Sequence, residues 1–164
     1  MARAAHLPSM PISDSYISRF MALALEEAAA AAQRGEVPVG AVLVDPGSGQ
    51  AIARAGNQTL ASHDPTAHAE MLVIRAGSAA RQSQRLGGLD LFVTLEPCAM
   101  CAAAISFARI RRLYYGATDL KGGAVDSGPR FFGQPTCHHA PEVYGGIADV
   151  AAVRLLRDFF AARR

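Results

Sequence analysis

The feature that most constrains how this chain folds is a pair of motifs, His68-Ala69-Glu70 and Pro97-Cys98-Ala99-Met100-Cys101, separated by a long stretch of unrelated sequence. One imidazole and two thiolates suit Zn²⁺, so a fold built on this sequence has to bring both motifs to one point. Three protein ligands leave the fourth tetrahedral position open, whereas a structural zinc takes a fourth ligand from the protein. Glu70 follows His68 by two residues and sets a carboxylate beside that open position. A metal that generates hydroxide near neutral pH and a carboxylate that carries the proton are the two halves of hydrolytic metal catalysis. Other readings of the cysteines account for less. Cys137 is the one further cysteine, so no second C-x-x-C completes a zinc ribbon. A thioredoxin-like redox pair at Cys98 and Cys101 stays open, but it leaves His68-Ala69-Glu70 without a role.

Around the motifs, helical and strand patterns alternate, which places the chain in the α/β class. Ile17, Phe20, Met21, Ala24, Leu25 and Ala28 recur at helical spacing between Ser13 and Arg34, with Gly35 as the stop. Val37–Val44 and Ala51–Ala55 read as two arms of a hairpin around Asp45-Pro46-Gly47-Ser48-Gly49. Leu89–Leu95 reads as a buried strand, Cys98–Phe107 as a small-residue helix, Arg111–Gly116 as a strand and Ala148–Arg164 as a last helix. Between Ala117 and Gly146 the pattern dissolves into a long loop. If Pro65 and Pro97 each open a helix, His68 lies in the first turn of one and Cys98 and Cys101 in the first turn of the other. Two helix N-termini then face one metal, and their free N–H groups favour thiolate over thiol.

At 164 residues the chain makes a single domain over 13–164, behind a loosely held tail over 1–12 that carries Pro8 and Pro11. Its three cysteines, two of them assigned to metal, give no disulfide framework. No secretory signal and no membrane-length apolar run is visible. These features point to the cytoplasm and away from a membrane. A net charge of +2 decides nothing about nucleic acid, but its distribution does bear on it. All the cations except Lys121 are arginine, and they gather late, at Arg109, Arg111, Arg112, Arg130, Arg154, Arg157, Arg163 and Arg164. Arginine binds phosphate bidentately and stacks on bases, so these clusters suit an RNA ligand. Compositional bias and solvated helix faces explain them as well.

Four segments carry a resemblance to a family: Val37-Pro38-Val39-Gly40-Ala41-Val42, His63-Asp64-Pro65-Thr66-Ala67-His68-Ala69-Glu70, Thr94-Leu95-Glu96-Pro97-Cys98-Ala99-Met100-Cys101 and the terminal Asp158-Phe159-Phe160-Ala161-Ala162-Arg163-Arg164. Over most of its length the chain resembles the cytidine deaminase-like zinc deaminases and, among them, the bacterial tRNA adenosine deaminases. That resemblance implies a three-layer α/β/α sandwich with a mixed five-stranded sheet, and a homodimer whose active sites lie near the subunit interface. It also implies one Zn²⁺ per chain on His68, Cys98 and Cys101, with Glu70 as the catalytic proton carrier and not a ligand. Asn57 matches a base-contacting asparagine, and Val39 and Ala67 match positions lining the base pocket, although small apolar residues serve equally in a core. The terminal Phe-Phe-x-x-Arg-Arg is similar to that of the tRNA enzymes. Phe159 with Arg163 and Phe160 with Arg164 are spaced i,i+4, which sets an aromatic ring beside a phosphate-binding head twice and suits RNA. A helix docked by its phenylalanines with its arginines in solvent reads equally. The segment between Lys121 and Tyr144 departs from the family pattern. There Cys137-His138-His139 hints at a second metal and Phe131-Phe132 at base stacking or core packing.

The activity implied is zinc-dependent hydrolysis of adenosine to inosine at the wobble position of a tRNA anticodon arm, whose unpaired bases splay out at little cost. Two rivals stand beside it. A deaminase of free guanine or cytosine would use the same zinc and Glu70, and a zinc-stabilised RNA-binding module would have no need of Glu70.

Overall fold

The computed structural model describes residues 13–164, so the tail expected over 1–12 lies outside them. Helix α1 (Asp14–Gln33) starts where the Ser13 hydroxyl accepts a hydrogen bond from Tyr16 N at 3.2 Å. It stops at Gly35, whose φ of +84° suits glycine. Strands β1 (Gly40–Asp45) and β2 (Gln50–Gly56) form the expected hairpin. Helix α2 (Ala69–Arg81), strand β3 (Asp90–Leu95), helix α3 (Ala99–Phe107) and strand β4 (Arg112–Ala117) follow. After a short 3₁₀ turn at Phe131–Gly133 come strand β5 (Glu142–Tyr144) and helix α4 (Asp149–Ala161). Among the described residues no helix is long and apolar enough to cross a membrane.

The sheet runs β2-β1-β3-β4-β5. β1 is antiparallel to β2 and β3, while β3, β4 and β5 are parallel, so the sheet is mixed. Alternation along its central strands builds the layers. Ala41, Leu43, Leu91, Val93, Leu113 and Tyr115 point to one face and pack with Val73, Ile74, Ala102 and Ile105 of α2 and α3. Val42, Val44, Phe92 and Tyr114 point to the other and pack with Phe20, Met21 and Ala24 of α1. Helix α4 lies against α1 and β4, which completes three α/β/α layers. Each fully buried large side chain here contributes about 1.5–3 kcal/mol of transfer free energy, and that favours both helix layers. β1 passes so close under α1 that a Cβ on Gly40 would sit 2.0 Å from the Ala24 carbonyl oxygen, and only glycine fits.

Three expectations need correction. The helix predicted from Pro65 begins instead at Ala69, with His68 as its N-cap. Asp64 draws residues 64–67 into a turn by accepting Thr66 N at 2.8 Å, while the Asn57 side chain takes Ala69 N. Cys98 is likewise the N-cap of α3 and not part of its first turn. Finally, the segment expected as one loop over 117–146 contains β5, a three-residue strand too short to show a period. It is held in register by the Arg112–Glu142 ion pair at 2.8 Å and by Tyr144 stacked on Tyr114.

Candidate metal centre and adjoining groove

The N-termini of α2 and α3 meet at the carboxyl end of β3, a usual place for sites in α/β sheets. His68 Nδ1 lies 3.7 Å from Cys98 Sγ and 3.6 Å from Cys101 Sγ. All three donor atoms fall within 4.8 Å of one another. Zn–N of about 2.05 Å and Zn–S of about 2.3 Å at a tetrahedral angle require an N···S separation of about 3.6 Å. The trio therefore fits one tetrahedral ion with a position to spare. Cys101 is buried and Cys98 half-buried.

The protons of this cluster are shared unevenly. A hydrogen bond from Cys101, against the cost of burial and with help from His68, holds the Cys98 thiol down to about 4. That same hydrogen bond, together with burial, pushes the Cys101 thiol up. A bound cation takes both sulfurs as thiolates and so displaces the proton they share. The Cys98 hydrogen bond raises His68. Glu70, at the second residue of α2, is 4% exposed, and burial pushes its carboxyl up to about 7.

Asn57 comes to the same place for a different reason. Its Oδ1 accepts Ala69 N at 2.8 Å, which caps α2 in place of the N-cap side chain. The acceptor half of its amide is thus already used, leaving Nδ2 as a donor. Val39 and Ala67, 5% and 0% exposed, are packed as core residues beside it.

A groove of about 1100 Å³ opens beside this end of the sheet. Val37, Leu95 and Ala117 form its floor, and Lys121, Arg157, Arg163 and Arg164 ring it. Among the described residues none of these four cations pairs with a carboxylate. Phe160 is 48% exposed and faces the groove, but Phe159 is 8% exposed. The Arg163 guanidinium lies 3.5 Å over the Phe159 ring and donates to the Phe159 carbonyl oxygen, so Phe160 offers the open aromatic face. Phe131 and Phe132 pack against the core. Cys137, His138 and His139 gather no second metal cluster among the described residues. Cys137 Sγ donates to the His139 carbonyl oxygen, while His139 Nε2 bonds the Ile110 carbonyl oxygen at 2.7 Å.

Sequence reasoning missed the roles of two buried acids that tether segments flanking the site, Glu36 and Glu96, at 1% and 2% exposure. Glu36 takes Leu60 N and Ala61 N at 3.0 and 2.9 Å, tethering the segment between Asn57 and His68. An acid set within the apolar runs Val37–Val44 or Leu89–Leu95 and their flanks was the available signal.

Residues 14–117 match the cytidine and deoxycytidylate deaminase zinc-binding region. The chain belongs to this deaminase family. The tRNA-specific adenosine deaminase of Agrobacterium fabrum is 62% identical to it over 90% of this chain and 95% of the relative. That of Haemophilus influenzae is 42% identical over 93% and 88%. A solved structure from studies of A-to-I editing by tRNA:A34 deaminases at the wobble position superposes on this deaminase with a TM-score of 0.83 and 62% identity, covering 85% of this chain and 99% of the other. The guanine deaminase of Nitrosomonas europaea superposes at 0.77 with 22% identity over 98% of each chain, a likeness of fold alone.

Proposed function

We propose that this deaminase binds one Zn²⁺ per chain and hydrolyses adenosine to inosine and ammonia in tRNA, at the wobble position of the anticodon arm. The observation that carries the reading is the spacing of His68 Nδ1 from the two sulfurs, which matches three corners of a zinc tetrahedron, with Glu70 buried on the same helix turn. Zinc, when bound, supplies a Lewis acid that activates water toward C6 of the adenine. His68, Cys98 and Cys101 hold the ion. Glu70 takes one proton from the attacking water and delivers it to the ring nitrogen, then takes the second from the new C6 hydroxyl and gives it to the amino group, which departs as ammonia. Asn57 Nδ2 donates to the purine edge, with Val39 and Ala67 packed in the core behind it. The groove cations hold the phosphates on either side of the extruded base.

The same activity places the enzyme in the cytoplasm with its substrate, with no membrane in its working cycle. We also infer a homodimer through the outer face of α3. Ala102 is packed into its own core, but Ala103 and Ala104 are half-buried and Phe107 is 72% exposed. A dimer by sedimentation at micromolar protein is expected; a monomer there would contradict it.

Glu70→Gln tests the chemistry. The variant keeps one zinc per chain by metal analysis and loses at least about 10²–10⁴-fold in turnover, the range of a missing general acid–base. Loss of zinc along with activity would make Glu70 a ligand and contradict the assignment.

A further inference from the structure

Glu96 directly follows β3, two residues before Cys98, and it is nearly inaccessible. A carboxylate buried this deeply needs fixed donors in place of water. It has them. Oε1 accepts Val125 N, Asp126 N and Ser127 N at 3.2, 2.9 and 2.8 Å, and Oε2 accepts Asp119 N and the Ser127 hydroxyl at 2.9 Å each. Every one of these donors belongs to the single segment 119–127, which has no helix or strand of its own. That segment makes the groove wall, through Asp119, Lys121 and Gly122. It also touches the metal site, because Gly123 bridges to Cys98 and Ala124 N donates to the Pro97 carbonyl oxygen at 2.9 Å. The fit is close: a Cβ on Gly123 would lie 2.5 Å from Glu96 Cδ and 2.4 Å from the Asp119 carbonyl oxygen.

One carboxylate thus ties together the strand end that carries Cys98 and the wall that carries Lys121. We propose that Glu96 is a positioning residue, whose hydrogen bonds to 119–127 hold Lys121 and the groove wall in register with the metal donors, so that a phosphate gripped in the groove sets the base over the site. This rests on the tRNA reading above. It predicts that Glu96 acts on RNA binding through Lys121 and leaves the chemical step alone.

Glu96→Gln keeps the shape but turns an amide N–H₂ toward N–H donors, leaving some of them unpaired. We expect one zinc per chain to be retained, kcat on an anticodon stem-loop to stay within about 3-fold, and KM to rise about 10-fold, the size of one weakened charged interaction. Amide exchange should quicken within 119–127. Combining Glu96→Gln with Lys121→Ala should add no further loss, because both act on the same phosphate grip. Additive losses, a collapse of kcat with loss of zinc, or parent-like KM would each overturn the proposal. Should Glu96→Gln fail to fold, Ser127→Ala removes a single half-buried hydroxyl and carries the same test, with a smaller KM rise that is again absent when Lys121 is already Ala; additivity there overturns it equally. A parent enzyme inactive on the stem-loop would sink the tRNA reading itself, whereas an active parent with additive variants sinks the positioning role alone.

Discussion

Glu36 shows at the scale of one residue how a buried charge organises the approach to the site. Burial alone would raise its carboxyl, but hydrogen bonds from Ala61 N, Leu60 N and the Thr59 hydroxyl outweigh it and hold the group below its ordinary 4.5. A carboxyl depressed on folding stabilises above the unfolded value and loses that contribution as pH falls through the folded one. The parent should therefore exceed Glu36→Gln in stability by about 1–3 kcal/mol at pH 7, the cost of unpaired buried donors. The advantage should shrink below pH 4.5, as read by urea unfolding of both proteins across pH. A difference that does not change with pH would contradict the assignment; terms shared by both proteins, metal ligation included, cancel. The gathering of His68, Cys98 and Cys101 at one point was legible in the sequence because each residue type has few competing roles at that spacing. Glu36 and Glu96 showed only as acids at the flanks of apolar runs, because most of their partners are backbone N–H groups, which leave no trace in side-chain identity. Asn57 stood out in the sequence by its match to the family, but its capping of α2 depends on a hydrogen bond no local pattern reveals.

Elements with a long apolar period were readable in sequence. α1 carries its cap at Ser13 and its stop at Gly35, and both lie where the pattern put them. The start of α2 was misplaced because Pro65 fits a turn as well as a first helical position. β5 was invisible, since its place depends on Arg112 and Tyr114 across the sheet and not on its own three residues. α4 ends at Ala161, short of the predicted Arg164, which leaves Arg163 and Arg164 past the helix end beside the groove. Replacing both by Ala should weaken stem-loop binding and flatten the plot of log K against log salt by about 0.7 for each single-strand phosphate that these side chains neutralise. Removing the stack of Arg163 on Phe159 should cost stability only about 0.5–1 kcal/mol, and zinc content should not change. An unaltered salt slope would show that neither arginine touches RNA.

At the scale of the whole molecule, the sheet, the two helix N-termini and the groove converge on one edge. The crossover from β3 through α3 to β4 carries Cys98 and Cys101 to the carboxyl end of the strands, and Asn57, directly after the β1–β2 hairpin, holds the start of α2 with His68 against them. The last helix then closes the groove with cations. The same layers serve a guanine deaminase, so the fold leaves the substrate open and the groove has to decide it. The central claim is therefore that the base is presented by RNA gripped outside the pocket. Ammonia release by the zinc-loaded enzyme, measured on a tRNA anticodon stem-loop beside free adenosine, guanine and cytosine, tests it most directly. The account predicts turnover of the stem-loop with inosine as product, and turnover of the free compounds lower by orders of magnitude, because they lack the phosphates the groove binds. Faster release from free guanine or cytosine than from the stem-loop would contradict it.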